Sequence, residues 1–525
     1  MSIAAGSTSP AEGWDTECDV LVVGSGGGGC TGAYTAAALG LDTLLIEKTP
    51  LFGGTTAYSG ASLWLPGNQA QQRSGLDDSA QRALTYLRAT VGERTRASLQ
   101  ESYVHHSAGL IAFLEENPRL RFRYEAFPDY YDAPGRFDRG RSVVPEEIDA
   151  EELGDLLEVL RPSWAADRLG ADVPRTRLWG GQALIGRFLL ALRETSRVRL
   201  SHSTALDRLV LENGRVVGVQ ALRDGRPLRI RARGGVILAA GGFEGSDALR
   251  RTYQAPRDSR WTMGPMGANT GDALRAGLAA GAGTDLLGES WWCPSVKLDD
   301  STAAFTLGAR SGIFVNARGR RFANESLPYD RMGRALLAQE ADGVPLPCYW
   351  IYDGTTDGVP PGFVSANPTD AQPYLDSGVW KKADTLAGLA EKIGVPADEL
   401  TATVERFNTF AEAGVDEDFH RGEDPYDRFF ATGEGPNPNL VPLEKGPFHA
   451  VPLVLGDLGT KGGLTTDDQA RVTTPDGEVV PGLYAAGNTM ASVSGLVYPG
   501  PGVPIGSAMV FAYVAAKDIA QRQED

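Results

Sequence analysis

Near the end of the 525-residue chain, Tyr498-Pro499-Gly500-Pro501-Gly502 stands just ahead of an apolar helical pattern. Proline restricts φ and glycine leaves the backbone bare, so this stretch can aim a phenol hydroxyl and a peptide N–H at one ligand atom. Such a donor pair suits a carbonyl oxygen that gains charge during a reaction, and it puts no full charge into an apolar pocket. At the other end, Gly24-Ser25-Gly26-Gly27-Gly28-Gly29 satisfies GxGxxG, and an acid, Glu47, follows about 20 residues further on. One glycine permits the tight turn, a second lets a pyrophosphate approach, and a third lets the helix sit close to its strand. Glu47 would end the second strand and accept hydrogen bonds from a ribose diol.

The surrounding pattern supplies elements to hold these groups. "DVLVV" reads as a strand buried on both faces, "CTGAYTAAALG" as a closely packed helix and "TLLIE" as the next strand, which makes a βαβ unit. "RLVLENGRVVGVQAL" predicts a hairpin turning at Asn213-Gly214, and "GGVILAAGG" a further buried strand. Helices are expected in "DSAQRALTYLRATV", "GQALIGRFLLALRE" and "PADELTATVERFNTFAEAG". From about residue 290 to 450, strand-like pieces such as "GIFVNARGRRF" and "PCYWIYD" mix with Pro/Gly loops, and "GLYAAGN" then returns to the opening style. The expected class is α/β. A Rossmann-like dinucleotide domain is assembled from residues 14–289 and 460–521, an α+β catalytic (substrate) domain is inserted at 290–459, and residues 1–13 form a flexible tail.

Composition narrows the function. With 50 basic and 67 acidic residues the net charge is −17, and no Lys/Arg run offers a nucleic-acid or anionic-membrane surface. The four cysteines show no metal, haem or disulfide spacing, so they are expected as small core residues in a reducing compartment, with no metal site. The five histidines form no ligand pattern. No run of 18 apolar residues predicts a membrane span, and the start lacks a signal-peptide pattern.

"EKTPLFGGTTAYSGAS", "AAGGFEG", "NTGDAL" and "LYAAGN" resemble the FAD-binding flavoproteins of the fumarate reductase and succinate dehydrogenase superfamily. The resemblance implies FAD as cofactor. It is held without a covalent link, because "GGTTAYSG" lacks the histidine some relatives use. It also implies cofactor contacts from Gly24, Ser25, Gly26, Gly29, Glu47, Lys48, Gly53, Gly54, Thr55, Ser59, Gly60, Ala240, Gly487 and Asn488. Val503, Pro504 and Ile505 would join them, with Pro504 opening the last helix and its N-terminus favouring negative charge on the reduced flavin. Asp272 falls in a segment that supports the cofactor, and it equally reads as a helix cap.

"FPDYY", "NESLPYD" and "YPGPG", with "DLGTKGGL" and "FHRGEDPYD", resemble the 3-ketosteroid Δ1-dehydrogenase family in order along the chain, from about Trp14 to Ala520. The resemblance implies desaturation of the A ring of a 3-ketosteroid. Tyr498 and Gly502 would polarise the ketone, Tyr329 would take the alpha proton, and Tyr130 would hydrogen-bond Tyr329 and favour its phenolate. Tyr131 is the fallback for Tyr130. Phe127 and Phe305 are candidates for the steroid-facing wall, and ordinary core packing fits them as well. Implied partners are the steroid and an external electron acceptor, for which a quinone is a candidate, in the cytoplasm with loose membrane association allowed. Three rivals stay in view: a dicarboxylate reductase, a ketosteroid 4,5-dehydrogenase and a non-catalytic binding protein. The first needs cationic clamps, and His420 and Arg421 read as structural instead.

Overall fold

The computed structural model describes residues 13–254 and 257–524, so the proposed tail lies outside the described residues except for residue 13. Two sheets organise the molecule. The first has eight strands, in the order Arg471–Thr473, Val479–Ala485, Arg226–Leu238, Thr16–Val23, Thr43–Ile46, Val198–Ser201, with Arg215–Arg223 and Thr204–Glu212 leaning off Arg226–Leu238. Its central pairings are parallel, with Val20 to Val23 facing Thr43 to Ile46 on one side and Gly235 to Leu238 on the other. The apolar run Val20–Val23 is buried throughout, as a strand covered on both faces requires. Strands from both chain ends meet here: Val236–Leu238 pair in parallel with Leu483–Ala485. The Asn213-Gly214 turn forms as its sequence dictates, with positive φ of 49° and 78°.

The second sheet has seven strands, in the order Ile313–Val315, Cys348–Tyr352, Phe448–Thr460, Ser290–Lys297, Ala303–Leu307, Phe363–Val364, with Lys381–Ala383 beside Phe448–Thr460. It is antiparallel along its main path and carries the helix Tyr329–Ala341 against Ser290–Lys297. Gly333 makes that packing close, since a Cβ there would lie 2.7 Å from the Trp292 carbonyl carbon.

The expected helices appear at Ala80–Val91, Gly180–Glu194 and Ala397–Ala413, the first capped by Ser79 and the last ended by left-handed Gly414. Two helix starts differ from those the sequence pattern suggests. The first helix begins at Gly27 inside the glycine run, because glycine there removes the side chains that would hold it off its neighbours. The last begins at Val503, with Pro504 as its second residue. These two helices touch: a Cβ on Gly28 would lie 3.0 Å from the Ala508 carbonyl, and one on Gly27 3.0 Å from Ile505 Cγ2. The last helix, Val503–Glu524, is apolar and long enough to cross a membrane by composition, yet 72% of that window is buried in the protein. All four cysteines are free and buried.

Candidate active site

The glycine turn is built as a tight corner. Gly24 has φ +100°, and a Cβ on Gly29 would sit 1.9 Å from the Gly24 carbonyl, so no larger residue fits the helix start. Ser25 donates to Glu47 through both its hydroxyl (2.6 Å) and its amide (3.2 Å). The other Glu47 oxygen accepts from the Thr49 amide and hydroxyl, each at 2.9 Å. Glu47 therefore lies just past its strand, held in place, with acceptor capacity left over. The loop Gly53–Tyr58 is tied to this corner: Gly53 N–H donates to Ser25 Oγ (2.9 Å), and Gly27 N–H to Thr56 Oγ1 (3.0 Å).

Gly54 and Gly60 face open space, where an added Cβ would meet nothing within 4 Å. This bare strip beside a helix start is the environment a flat ring system and its pyrophosphate require, so the residues present fit FAD. Other candidates already have protein partners. Thr55 Oγ1 accepts from Asn269 (2.9 Å), and Ser59 Oγ donates to the Thr56 carbonyl (2.7 Å). Lys48 pairs with Asp272 (2.9 Å) and with Thr270 Oγ1 (2.6 Å). Asp272 is the first residue of its helix, and Gly271 occupies the cap position. The cap reading of Asp272 thus gives way to an ion pair linking that helix to the end of the second strand. Ala240 N–H donates to Thr489 Oγ1 (3.0 Å), next to Gly487 at φ +64°. Asn488 Oδ1 accepts from the Trp291 indole (3.0 Å) and so reaches toward the tyrosines.

The Tyr498–Gly502 turn is wedged from several sides. A Cβ on Gly500 would lie 2.6 Å from Trp64 Nε1, and one on Gly502 (φ +87°) 2.0 Å from the Ser62 carbonyl. Both proline carbonyls of the turn are grasped: Pro499 by the Tyr130 amide (2.9 Å) and Tyr86 hydroxyl (2.6 Å), Pro501 by Ser142 (2.7 Å). Behind it, Trp64 Nε1 donates to Asp129 (2.8 Å), whose carboxyl also pairs with Arg141 and is pushed up to about 6 by burial.

The result is a cluster of three phenols. Ring centroids are 5.3 Å apart for Tyr329–Tyr498, 5.3 Å for Tyr130–Tyr498 and 5.7 Å for Tyr130–Tyr329, all edge to face. Gly502 N–H donates to Tyr498 Oη at 3.4 Å, so the amide and the phenol hydroxyl stand side by side. Trp291 packs on Tyr498 (5.0 Å), Phe305 on Tyr329 (5.0 Å) and Phe127 on Tyr130 (6.1 Å). Tyr131 is half-buried under Arg331 and stands outside the three-ring contact.

Electrostatics separate the roles. Burial raises Tyr498 far above an ordinary phenol, which keeps it a neutral donor. Burial also raises Tyr329, Tyr498 beside it adds to the rise, and the Tyr130 phenol pulls it down. No well-aligned Tyr130–Tyr329 hydrogen bond is made in the free protein. The two hydroxyls are nevertheless close enough to influence each other by hydrogen bonding, which lowers Tyr329 and, on top of burial, raises Tyr130. A buried hydroxyl without a well-aligned partner is costly, and it fits an acceptor that gains charge only during reaction.

Tyr426 joins this cluster, 5.2 Å from Tyr130 and 5.9 Å from Phe127. It lies in the segment "FHRGEDPYD", where no local feature singles it out, and nothing in the pattern around Trp291 marks that residue as functional either. His420 is exposed and paired with Glu423. Arg421 is fully buried on Glu325 (3.1 Å) and the Gly312 carbonyl (2.8 Å), a structural cation with no free face for a dicarboxylate.

The FAD binding domain family matches residues 19–505, which defines the class as a flavoprotein oxidoreductase. A 3-oxosteroid 1-dehydrogenase of Mycolicibacterium smegmatis is 40% identical over 96% of this chain and 97% of its own. That of Rhodococcus opacus is 41% identical over 97% and 99%. The crystal structure of 3-ketosteroid delta1-dehydrogenase from Sterolibacterium denitrificans, in complex with 1,4-androstadiene-3,17-dione, superposes with a TM-score of 0.88, at 34% identity, covering 97% of this chain and 100% of that one. The chain belongs to the 3-oxosteroid 1-dehydrogenase family.

Proposed function

We propose that this protein introduces the 1,2-double bond into the A ring of 3-ketosteroids, and that Tyr498, Gly502, Tyr329 and Tyr130 carry the chemistry. FAD, when bound, supplies the acceptor for the hydride that leaves C1. The chain's own groups do the rest. Tyr498 Oη and Gly502 N–H donate to the 3-keto oxygen and hold the charge that grows there as the C2 proton leaves. Both donors are neutral, so the pocket stays hospitable to an apolar ring system. Tyr329 takes the C2 proton, which requires its phenolate. A phenol that ordinarily ionises near pH 10 needs help to reach that state, and the neighbouring Tyr130 hydroxyl is the donor that gives it. Phe127 and Phe305 line the route along the steroid, with Tyr426 behind Phe127.

In the same reading the corner at Gly24, Ser25, Gly26 and Gly29 receives the pyrophosphate, and Glu47 the ribose. Lys48, Gly54, Thr55, Ser59, Gly60, Ala240, Asp272, Gly487, Asn488, Val503, Pro504 and Ile505 line or brace the remainder of the cofactor. The two-part cofactor domain (14–289 and 460–521) and the inserted substrate domain (290–459) meet at the tyrosines. Electrons leave to an external acceptor, with a quinone as the candidate class. The protein works in the cytoplasm, with loose membrane association allowed.

One observation supports this reading above the others: three buried phenols have ring centroids 5.3–5.7 Å apart, with the Gly502 amide beside the Tyr498 hydroxyl. The test is anaerobic mixing of the holoenzyme with 5α-androstane-3,17-dione, which is saturated at both candidate bonds. Bleaching of the flavin with a 1,2-unsaturated product is expected. A 4,5-unsaturated product would move the assignment to the neighbouring bond, and an unchanged flavin with a range of 3-ketosteroids would overturn it.

A further inference from the structure

Lys461 has no part in the chemistry above, yet it is fully buried, just past the end of the strand Phe448–Thr460. Its ammonium donates to the carbonyls of Leu496 (3.2 Å) and Val497 (3.0 Å), the two residues before Tyr498. It lies 4.2 Å from the Trp291 ring centroid, and Trp291 packs directly on Tyr498. It also stands 4.0 Å from Oδ1 of Asp330, the residue after Tyr329 and part of the first turn of that helix. Arg334, one turn further along, reaches Asp330 Oδ2 (3.4 Å) and Glu289 (3.0 Å) and donates to the Leu496 carbonyl as well. Two cations and two carboxylates thus join the strand end, the Tyr329 helix and the segment leading into Tyr498.

An apolar side chain would serve core packing here at lower desolvation cost, since a buried ion pair gains little net stability. What an ammonium offers and an apolar group does not is three directed donors. Two are spent on consecutive carbonyls of the segment that delivers Tyr498. The charge then faces the carboxylate fixed beside Tyr329. We propose that Lys461 is a positioning residue that clamps the segment carrying Tyr498 to the helix carrying Tyr329, and so sets the separation of the two phenols. This inference rests on the reaction assigned to those phenols.

The decisive variant is Lys461→Met/Asp330→Asn, which removes both charges together and leaves neither buried alone; Lys461→Met by itself is its companion. FAD content and steroid affinity, read from the visible flavin spectrum, should be retained. Turnover should fall roughly 10²-fold, the loss that follows a small misplacement of reacting groups, with KM nearly unchanged. In a Tyr498→Phe background the same pair should slow turnover by less than about tenfold, because residues acting as one unit are not additive. A crystal structure of the double variant should show the Tyr329–Tyr498 ring separation displaced from 5.3 Å. Wild-type turnover in the double variant, an unmoved ring pair, or the full loss repeated in the Tyr498→Phe background would overturn the proposal. If the wild-type enzyme leaves every 3-ketosteroid unchanged, the assigned reaction fails instead.

Discussion

Replacing Tyr498 by phenylalanine removes one oxygen and leaves the ring in place. Tyr498 is 3% exposed, and its ring is fixed by Trp291, Tyr130 and Tyr329 at centroid distances of 5.0–5.3 Å, packing that phenylalanine keeps. In the free protein the hydroxyl accepts from the Gly502 amide at 3.4 Å, a long bond. The stability cost of deleting it therefore falls at the low end of the roughly 1–3 kcal/mol for an orphaned buried group. In the reacting complex the cost is larger, because the missing hydroxyl is one of two donors to an oxygen that gains charge. Removing such a donor costs about 2.7–4 kcal/mol, or roughly 10²–10³ in rate. Stopped-flow bleaching of the flavin by a 3-ketosteroid measures the step directly, and the visible spectrum reports FAD retention. The expected Tyr498→Phe protein is yellow, folded and slower by that factor. A folded, FAD-loaded variant that bleaches at the wild-type rate would refute the reasoning.

Tyr130→Phe should act through pH. The Tyr130 phenol lowers the proton affinity of Tyr329, so its loss leaves Tyr329 higher still. The phenolate then forms only at higher pH, and the rising limb of the rate–pH profile should move upward; a profile shifted downward or unmoved would contradict the role. Gly500→Ala would place a Cβ 2.6 Å from Trp64 Nε1, so stability should drop by about 1–3 kcal/mol, seen as a lower melting temperature, with turnover impaired as well. Glu47→Ala removes the acceptor that orders Ser25 and Thr49, and with it a charged partner for the cofactor worth about 1.5–3 kcal/mol. FAD should bind roughly 10–100-fold more weakly on titration of the apoprotein, with the tyrosine cluster unaffected.

The parts legible in the sequence are those governed by local rules. Buried parallel strands show as unbroken apolar runs, and Val20–Val23 is one; the Asn213-Gly214 turn follows from the need for two positive φ angles. The Tyr498–Gly502 motif announces a stiff bare turn, and the structure adds the reason: Trp64 and Ser62 leave no room for a side chain at Gly500 or Gly502. Long-range partners have no local signal. Trp291, Tyr426 and Lys461 reach the site from separate parts of the chain, and only folding brings them to the phenols. The Tyr130–Tyr329 hydrogen bond is an expectation from residue types and family resemblance. Its alignment depends on how a loop and a helix from distant segments are set, and in the free protein the two hydroxyls are close but not well aligned.

The most direct measurement is the position of the 3-keto oxygen in a crystal structure of the holoenzyme with 1,4-androstadiene-3,17-dione. The account predicts that oxygen within hydrogen-bond distance of both Tyr498 Oη and Gly502 N, with C2 against Tyr329 Oη. A ketone turned away from Tyr498 and Gly502, or C2 held out of reach of Tyr329, would contradict it.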